Sequence, residues 1–310
     1  MNAPIKLITL LLIVISGFGF SQEIVIDDSF ERESIGHNIA VYLDKSGELT
    51  LDEVSELNAF EKSSEEVPNF GISGGNVWVK MIVTNQTSQS YFLEVAQPTL
   101  DVVAFYDEKN DFVSIQGDQF SYYKRDIQFN HFVFDLKIEK NQTKTFYLKI
   151  NSSNQVQIPL YIGTYEKIDE VNQQLIVFLS IFFGLMIAMI LYNLVIYIFV
   201  KDNSYLYYVL YIIILMFTQL TPHGYTFQFF WPESTDFTQY SMFLFPIAVG
   251  VTGIFFFNSF LNTKKYAPKI IWVFRFYFVL YAISSVLVIL NEFKGAYTLI
   301  DLTAMMVALT

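Results

Sequence analysis

The chain has 310 residues, 53% of them hydrophobic and 18% aromatic, and it carries a net charge of −11. So acidic a balance excludes electrostatic capture of nucleic acid or of an anionic lipid surface. The absence of cysteine excludes a disulfide framework and a thiolate metal site.

The charge is unevenly placed. Residues 22–173 hold 25 acidic and 12 basic side chains, whereas the remainder holds 5 acidic and 7 basic, so the two halves are written for two solvents. The first element, residues 1–21, reads as a signal peptide. Lys6 and the α-amino group form a positive n-region, residues 7–20 form an apolar run, and Gly19 and Ser21 stand at −3 and −1 of a cleavage site after Ser21. A retained anchor is the alternative, although the apolar run is short for a span. Cleavage would put the acidic half, residues 22–170, outside the cytoplasm.

That half reads as β structure. NVWVKMIVTN (76–85) alternates Val77, Val79, Met81 and Val83 against Trp78, Lys80, Ile82 and Thr84. Segments 91–96, 101–107, 131–138, 144–150 and 156–162 follow at intervals of about a dozen residues, with polar turns between them. The pattern predicts an all-β sandwich. Residues 48–64 read as a polar loop.

Trp78 followed by Thr84-Asn85, then Leu93-Glu94-Val95, Pro98, Leu100-Asp101, Tyr106, Gly117-Asp118, Arg125, Phe134 and Tyr147-Leu148-Lys149 make a dispersed pattern over residues 38–165. In order and spacing it resembles the type-2 extracellular domain of bacterial seven-transmembrane receptors with diverse intracellular signalling modules. The resemblance implies a jelly-roll-like fold and a carbohydrate or similar small ligand. A sugar site needs flat aromatic faces and fixed polar groups, which Trp78, Tyr106, Tyr122 and Tyr123, with Asp118 and Arg125, could supply. The competing reading is core packing for Trp78 and Tyr106, and an ion pair holding a turn for Asp118 and Arg125. Catalysis has less support. No carboxylate pair stands out for glycoside hydrolysis, His37 and His131 are isolated, and no metal-ligand or cofactor motif is present.

Residues 175–200 contain no charge and are long enough to cross a bilayer as a helix. Further spans are predicted at about 205–220, 240–261 (with a kink at Pro246) and 270–290, and a fifth, from 297, is cut off at Thr310. If the β domain is outside, the inner loops hold Lys201, Lys264, Lys265 and Lys269 and the outer ones only Lys294, which obeys the positive-inside rule. Gly184, Leu191-Tyr192-Asn193, Asp202, Ser204-Tyr205, Tyr208, Gly224, Trp231-Pro232 and Phe260-Leu261 are similar to the seven-helix part of the same receptor family. Among polar residues within spans, Asn193, Gln219, Asn258, Arg275 and Asp301 are candidates for function because each is costly in lipid. Asn193 is expected to hydrogen-bond between helices, and Arg275 to snorkel. Gly184 and Ala188 offer a packing seam for a helix or a second copy.

The expected architecture is thus an exported, jelly-roll-like all-β sandwich at 22–170 followed by an α-helical polytopic membrane bundle at 174–310, incomplete in the fifth helix. The expected function is sensory and non-catalytic. A small molecule or carbohydrate is bound outside the bacterial cytoplasmic (inner) membrane, and the event passes inward. The partners are that ligand, membrane lipid, a homodimer mate or a cytoplasmic signalling partner. In the family the output is a histidine kinase, a nucleotide cyclase or a DNA-binding module. The rival readings are a membrane-anchored carbohydrate-binding or adhesion protein and a transporter. Neither one anchor nor an internal repeat fits this sequence well.

Overall fold

The structure, a computed structural model, describes residues 22–57, 59–107 and 112–310. The proposed signal peptide, residues 1–21, lies outside the described residues. The first half is built from strands β1 (Ile24–Ile26), β2 (Arg32–Ser34), β3 (Ala40–Asp44), β4 (Glu61–Lys62), β5 (Asn69–Gly71), β6 (Asn76–Asn85) and β7 (Phe92–Val95). They continue as β8 (Val102–Tyr106), β9 (Phe112–Gln116), β10 (Phe132–Asp135), β11 (Gln142–Asn151), β12 (Val156–Gln157) and β13 (Leu160–Gly163).

Two sheets face each other. One has the order β4-β3-β6-β11-β8-β9, with β1 running parallel to β6 beyond the end of β3, and the other has the order β10-β7-β13-β2. A short β5–β12 ribbon lies apart. The central pair, β6 and β11, is antiparallel and in register from Val77–Ile150 to Asn85–Gln142. The alternation in β6 sets its faces. Val77, Val79, Met81 and Val83 enter the core with Leu93 and Val95 of β7 and Leu160 and Ile162 of β13. Phe105 joins the layers, its ring 5.2 Å from Phe134 in one sheet and 5.2 Å from Phe146 in its own.

The other face of β6 is also covered. Helix α1 (Leu51–Glu56) lies where the sequence reads as loop, and it packs Leu51 and Val54 over Trp78 and Tyr147. Thr50 and Glu53 close a reciprocal capping box: Glu53 N donates to Thr50 Oγ1 at 3.4 Å, and Thr50 N donates to Glu53 Oε2 at 2.8 Å. That device holds six residues in a helix too short to persist alone. Trp78 is therefore 0% exposed.

Helix α2 (Tyr165–Val200) follows β13 with only Thr164 between them and runs unbroken for 36 residues, roughly 54 Å. Thr164 caps it by accepting from Lys167 N. There is no linker between sandwich and span, because the first turns of α2 are themselves the connection. After Lys201, in a left-handed conformation, Asp202 caps α3 (Asn203–Leu220). Next come α4 (Tyr225–Phe229), α5 (Thr235–Phe260, continuous through Pro246), α6 (Thr263–Tyr266), α7 (Ile270–Ile289) and α8 (Phe293–Ala308). Four of these, α2, α3, α5 and α7, are long and apolar enough to cross a membrane. The fifth predicted segment forms the 16-residue α8, which packs on α7 and α5. Otherwise contacts run α2–α3–α5–α7, with α5 in the middle.

The β domain rests on one end of this bundle. Ile168, in the first turn of α2, is buried against Phe129 and Val133, and the Tyr165 ring meets Phe92 and Phe129 edge-on. The segment between α3 and α5 provides the second support. Tyr122 N donates to Pro232 O at 2.8 Å, and Asn130 Nδ2 donates to His223 O at 2.9 Å. Gly224, at φ +75°, allows the approach: a Cβ there would lie 2.5 Å from Asn130 O and 2.8 Å from Pro98 Cβ.

Candidate functional site

In β7, Leu93 and Val95 point into the sandwich, so Glu94 must point out of it. An acid there would ordinarily be solvated. Here the outer face is roofed by α2 and by the α3–α5 segment, and Glu94 is 3% exposed. Its neighbours are supplied by two other strands. Arg32 of β2 donates from Nε to Glu94 Oε2 at 2.7 Å, and Nε2 of His131, just before β10, lies 3.0 Å from Oε1. Burial works against the carboxylate charge, but the polar contacts from His131 and Arg32 outweigh it, so the carboxyl titrates below the ordinary glutamate value. The Arg32 guanidinium stacks on Tyr161, its Cζ 3.8 Å from the ring centroid. Asn130 Oδ1 is 3.0 Å from His131 Nδ1 while its amide nitrogen bonds His223 O across the junction.

These residues line a cavity of about 330 Å³. Its floor is the sandwich, with Arg32, Glu94, Gln97, Asn130 and His131. Its walls are Asn172 and Leu175 of α2 together with Pro222 and His223. That volume is near the lower end of the range for small-molecule sites, about 300–1,000 Å³. Arg32 and Glu94 are fixed on strands and Asn172 on the early turns of a long helix, and Asn172 Oδ1 is buried with no donor among the described residues. The cavity can hold a compact, multiply hydrogen-bonding molecule in contact with both domains.

The six residues predicted for a ligand lie elsewhere. Trp78 is beneath α1, 6.0 Å from the Tyr106 ring, on the outer face of the opposite sheet, and it presents no face to a ligand. Its indole and its half-buried neighbour serve packing. Tyr122 and Arg125 form part of the junction with the bundle. Tyr122 meets Phe227 edge-on and Arg125 lies over the Tyr122 and Phe132 rings, donating to Phe129 O at 2.6 Å. Burial draws the Arg125 pKa down to about 10. Asp118, 1% exposed, accepts no hydrogen bond from the described residues, Arg125 included, so the ion pair expected between them is not formed. Burial and the nearby Asp101 carboxylate push its carboxyl well up, against the pull of Arg125. Asp101 accepts from Ser153 N within the β domain and ties this patch to the membrane helices by accepting from Gln239 Nε2 of α5. Only Tyr123 is open, at 58% exposure.

Among the intramembrane candidates, Asn193 does not bridge helices. Its Nδ2 donates to Met189 O in its own α2 at 2.8 Å, the cheapest way to satisfy an amide where no partner helix offers a group. Asn193 and Asn258 line a second cavity, of about 780 Å³, at the far end of the bundle between α2, α3 and α5. Asn258 accepts from Thr263. Arg275 stacks on Trp272 at 4.7 Å, Tyr192 and Asp301 are exposed, and Gly184 has open space beside it.

Sequence reasoning missed Arg32, Glu94, Asn130, His131, Asn172 and His223. One signal was present: Glu94 is the only charge in the apolar strand YFLEVA, on the face that alternation would leave outside.

Two family profiles match the chain. The 7TMR-DISM extracellular 2 profile covers residues 36–164. The 7TM diverse intracellular signalling profile covers residues 175–310. No curated protein matches it.

Proposed function

Because this chain belongs to the family of seven-transmembrane receptors with diverse intracellular signalling, a family of sensory membrane proteins, we propose that it is the input part of a receptor whose ligand occupies the cavity over Glu94. The ligand class is carbohydrate. The domain is held outside the bacterial cytoplasmic membrane, and the bundle carries the response to a cytoplasmic signalling partner. The observation that carries the reading is the make-up of the cavity: sandwich, α2 and the α3–α5 segment each contribute to it. A molecule there contacts sensor and bundle together, so it binds different docked arrangements unequally, which is the requirement for moving an equilibrium between them. The orientation is supported by Lys201, Lys264, Lys265 and Lys269, which cluster at the end of the bundle away from the β domain. The unbroken α2 favours transmission, because a rigid helix passes a tilt at Ile168 into the membrane.

Binding of a monosaccharide panel to the full chain in lipid nanodiscs tests this. At least one sugar is expected to bind, and Asn172→Trp, which fills the cavity from α2, is expected to weaken it at least tenfold. Sugar binding untouched by the filled cavity would overturn the assignment.

A further inference from the structure

The state of Arg32 narrows the ligand chemistry, given the proposed cavity. A guanidinium has three hydrogen-bonding edges and two faces. In Arg32 the Nε edge is committed to Glu94 Oε2 at 2.7 Å and one face to Tyr161 at 3.8 Å. Glu94 is itself buried and held by His131, so the plane of the guanidinium is fixed from its edge and from below. The two Nη groups, which form the edge facing away from Cδ, have no acceptor among the described residues, and Arg32 lines the cavity. An arginine cannot relieve this by losing its proton. Across the cavity, Asn172 Oδ1 is a buried acceptor without a donor.

We propose that the cavity takes an acidic sugar, its carboxylate received end-on by the Arg32 fork and one of its hydroxyls donating to Asn172. The two groups are opposite in kind, a pair of parallel donors on the sandwich, on a side chain 17% exposed, and one buried acceptor on the helix. A uronic acid carries the matching pair on one rigid ring. A neutral hexose would meet the first of these less well, because its hydroxyl oxygens carry no charge and make weaker bonds to the two Nη groups than a bidentate carboxylate does. The arrangement also gives Glu94 a role as a positioning residue: its contact with Arg32 Nε holds the fork in place. Since Arg32 belongs to the sandwich and Asn172 to α2, the sugar would span the junction.

The test compares D-glucuronate, D-galacturonate, D-glucose and acetate for binding to the full chain in nanodiscs at fixed ionic strength. It is repeated with Arg32→Lys, which keeps the charge and loses the fork. A uronate is expected to bind about tenfold or more tighter than glucose, the scale of a charge-assisted bidentate contact. Arg32→Lys is expected to remove most of that preference, and acetate, without a hydroxyl, is expected to bind poorly. Glucose binding as tightly as the uronates would overturn the acidic-sugar assignment and leave the carbohydrate cavity standing. So would a preference unchanged in Arg32→Lys. Acetate binding as tightly as the uronates would overturn the role of the sugar ring, and binding of no sugar of either kind would overturn both readings. If Arg32→Lys does not fold, the comparison among the four ligands on the unaltered protein decides alone.

Discussion

Gly224→Ala should loosen the seat of the β domain on the bundle while leaving the sandwich intact. At φ +75° the residue sits in the left-handed region, where an L side chain costs about 1–2 kcal/mol. The new Cβ would stand 2.5 Å from Asn130 O and 2.8 Å from Pro98 Cβ. The first is backbone and the second is a proline ring, so neither yields as a flexible side chain would. Relief must come from moving the α3–α5 segment away, at a cost of about 1–3 kcal/mol. The Asn130–His223 bond lies in the path of that movement. Together these give about 2–5 kcal/mol against the docked arrangement, or about thirtyfold at the lower limit. The amide of Tyr122 reads docking directly, since it donates to Pro232 O across the junction. Its hydrogen exchange in nanodiscs should rise by about thirtyfold or more, whereas amides of the β6–β11 ladder should exchange as in the parent. Unchanged Tyr122 protection in a folded Gly224→Ala protein would refute the claim that the close approach at this glycine holds the two domains together.

Two buried carboxyls should give opposite pH slopes. Glu94 has a depressed pKa, so the stability it contributes is present above the unfolded value of about 4.3 and is lost as pH falls through its lower folded value. Glu94→Gln should flatten that acid limb in the exchange protection of β7 and β10, and an unaltered limb would count against the Arg32–Glu94–His131 cluster. Asp118 has a raised pKa, so its contribution is full below about pH 3.9 and declines as pH rises toward the folded value. Asp118→Asn should remove that decline, and a decline that persists would show that another group causes it. Thr50→Ala should cost the α1 cap about 1 kcal/mol. The expected signal is easier quenching of Trp78 by iodide, and no change would mean α1 is held without its capping box.

How legible these features were depended on how local their cause is. The strand β6 and the uncharged run in α2 declare themselves within ten to thirty residues, because one alternation and one absence of charge determine what each buries. Helix α1 was readable only through Thr50 and Glu53, since two buried apolar residues, Leu51 and Val54, make too short a pattern. Strands β1 and β2, three residues each, have no periodicity to detect. The cavity was hidden for another reason. Arg32 and Glu94 stand 62 positions apart and Asn130 and His223 stand 93 apart, and only the fold brings them together. Aromatic residues in loops drew attention in the sequence, and one of them, Tyr122, packs on Phe227 at the junction. His131 was set aside as isolated, yet it lies against the one buried glutamate of the site.

The measurement that tests the central claim most directly is a distance across the junction with and without sugar. The chain contains no cysteine, so single cysteines at exposed Lys45 in the β domain and exposed Glu233 in the α3–α5 segment can carry spin labels without background. In nanodiscs, a saturating sugar from the binding panel should shift or narrow the distribution of distances between the two labels. The same sugar should have no such effect in Asn172→Trp. A sugar that binds the full chain and leaves the distribution unchanged would contradict an account in which the ligand acts by altering how the sensor domain sits on the membrane helices.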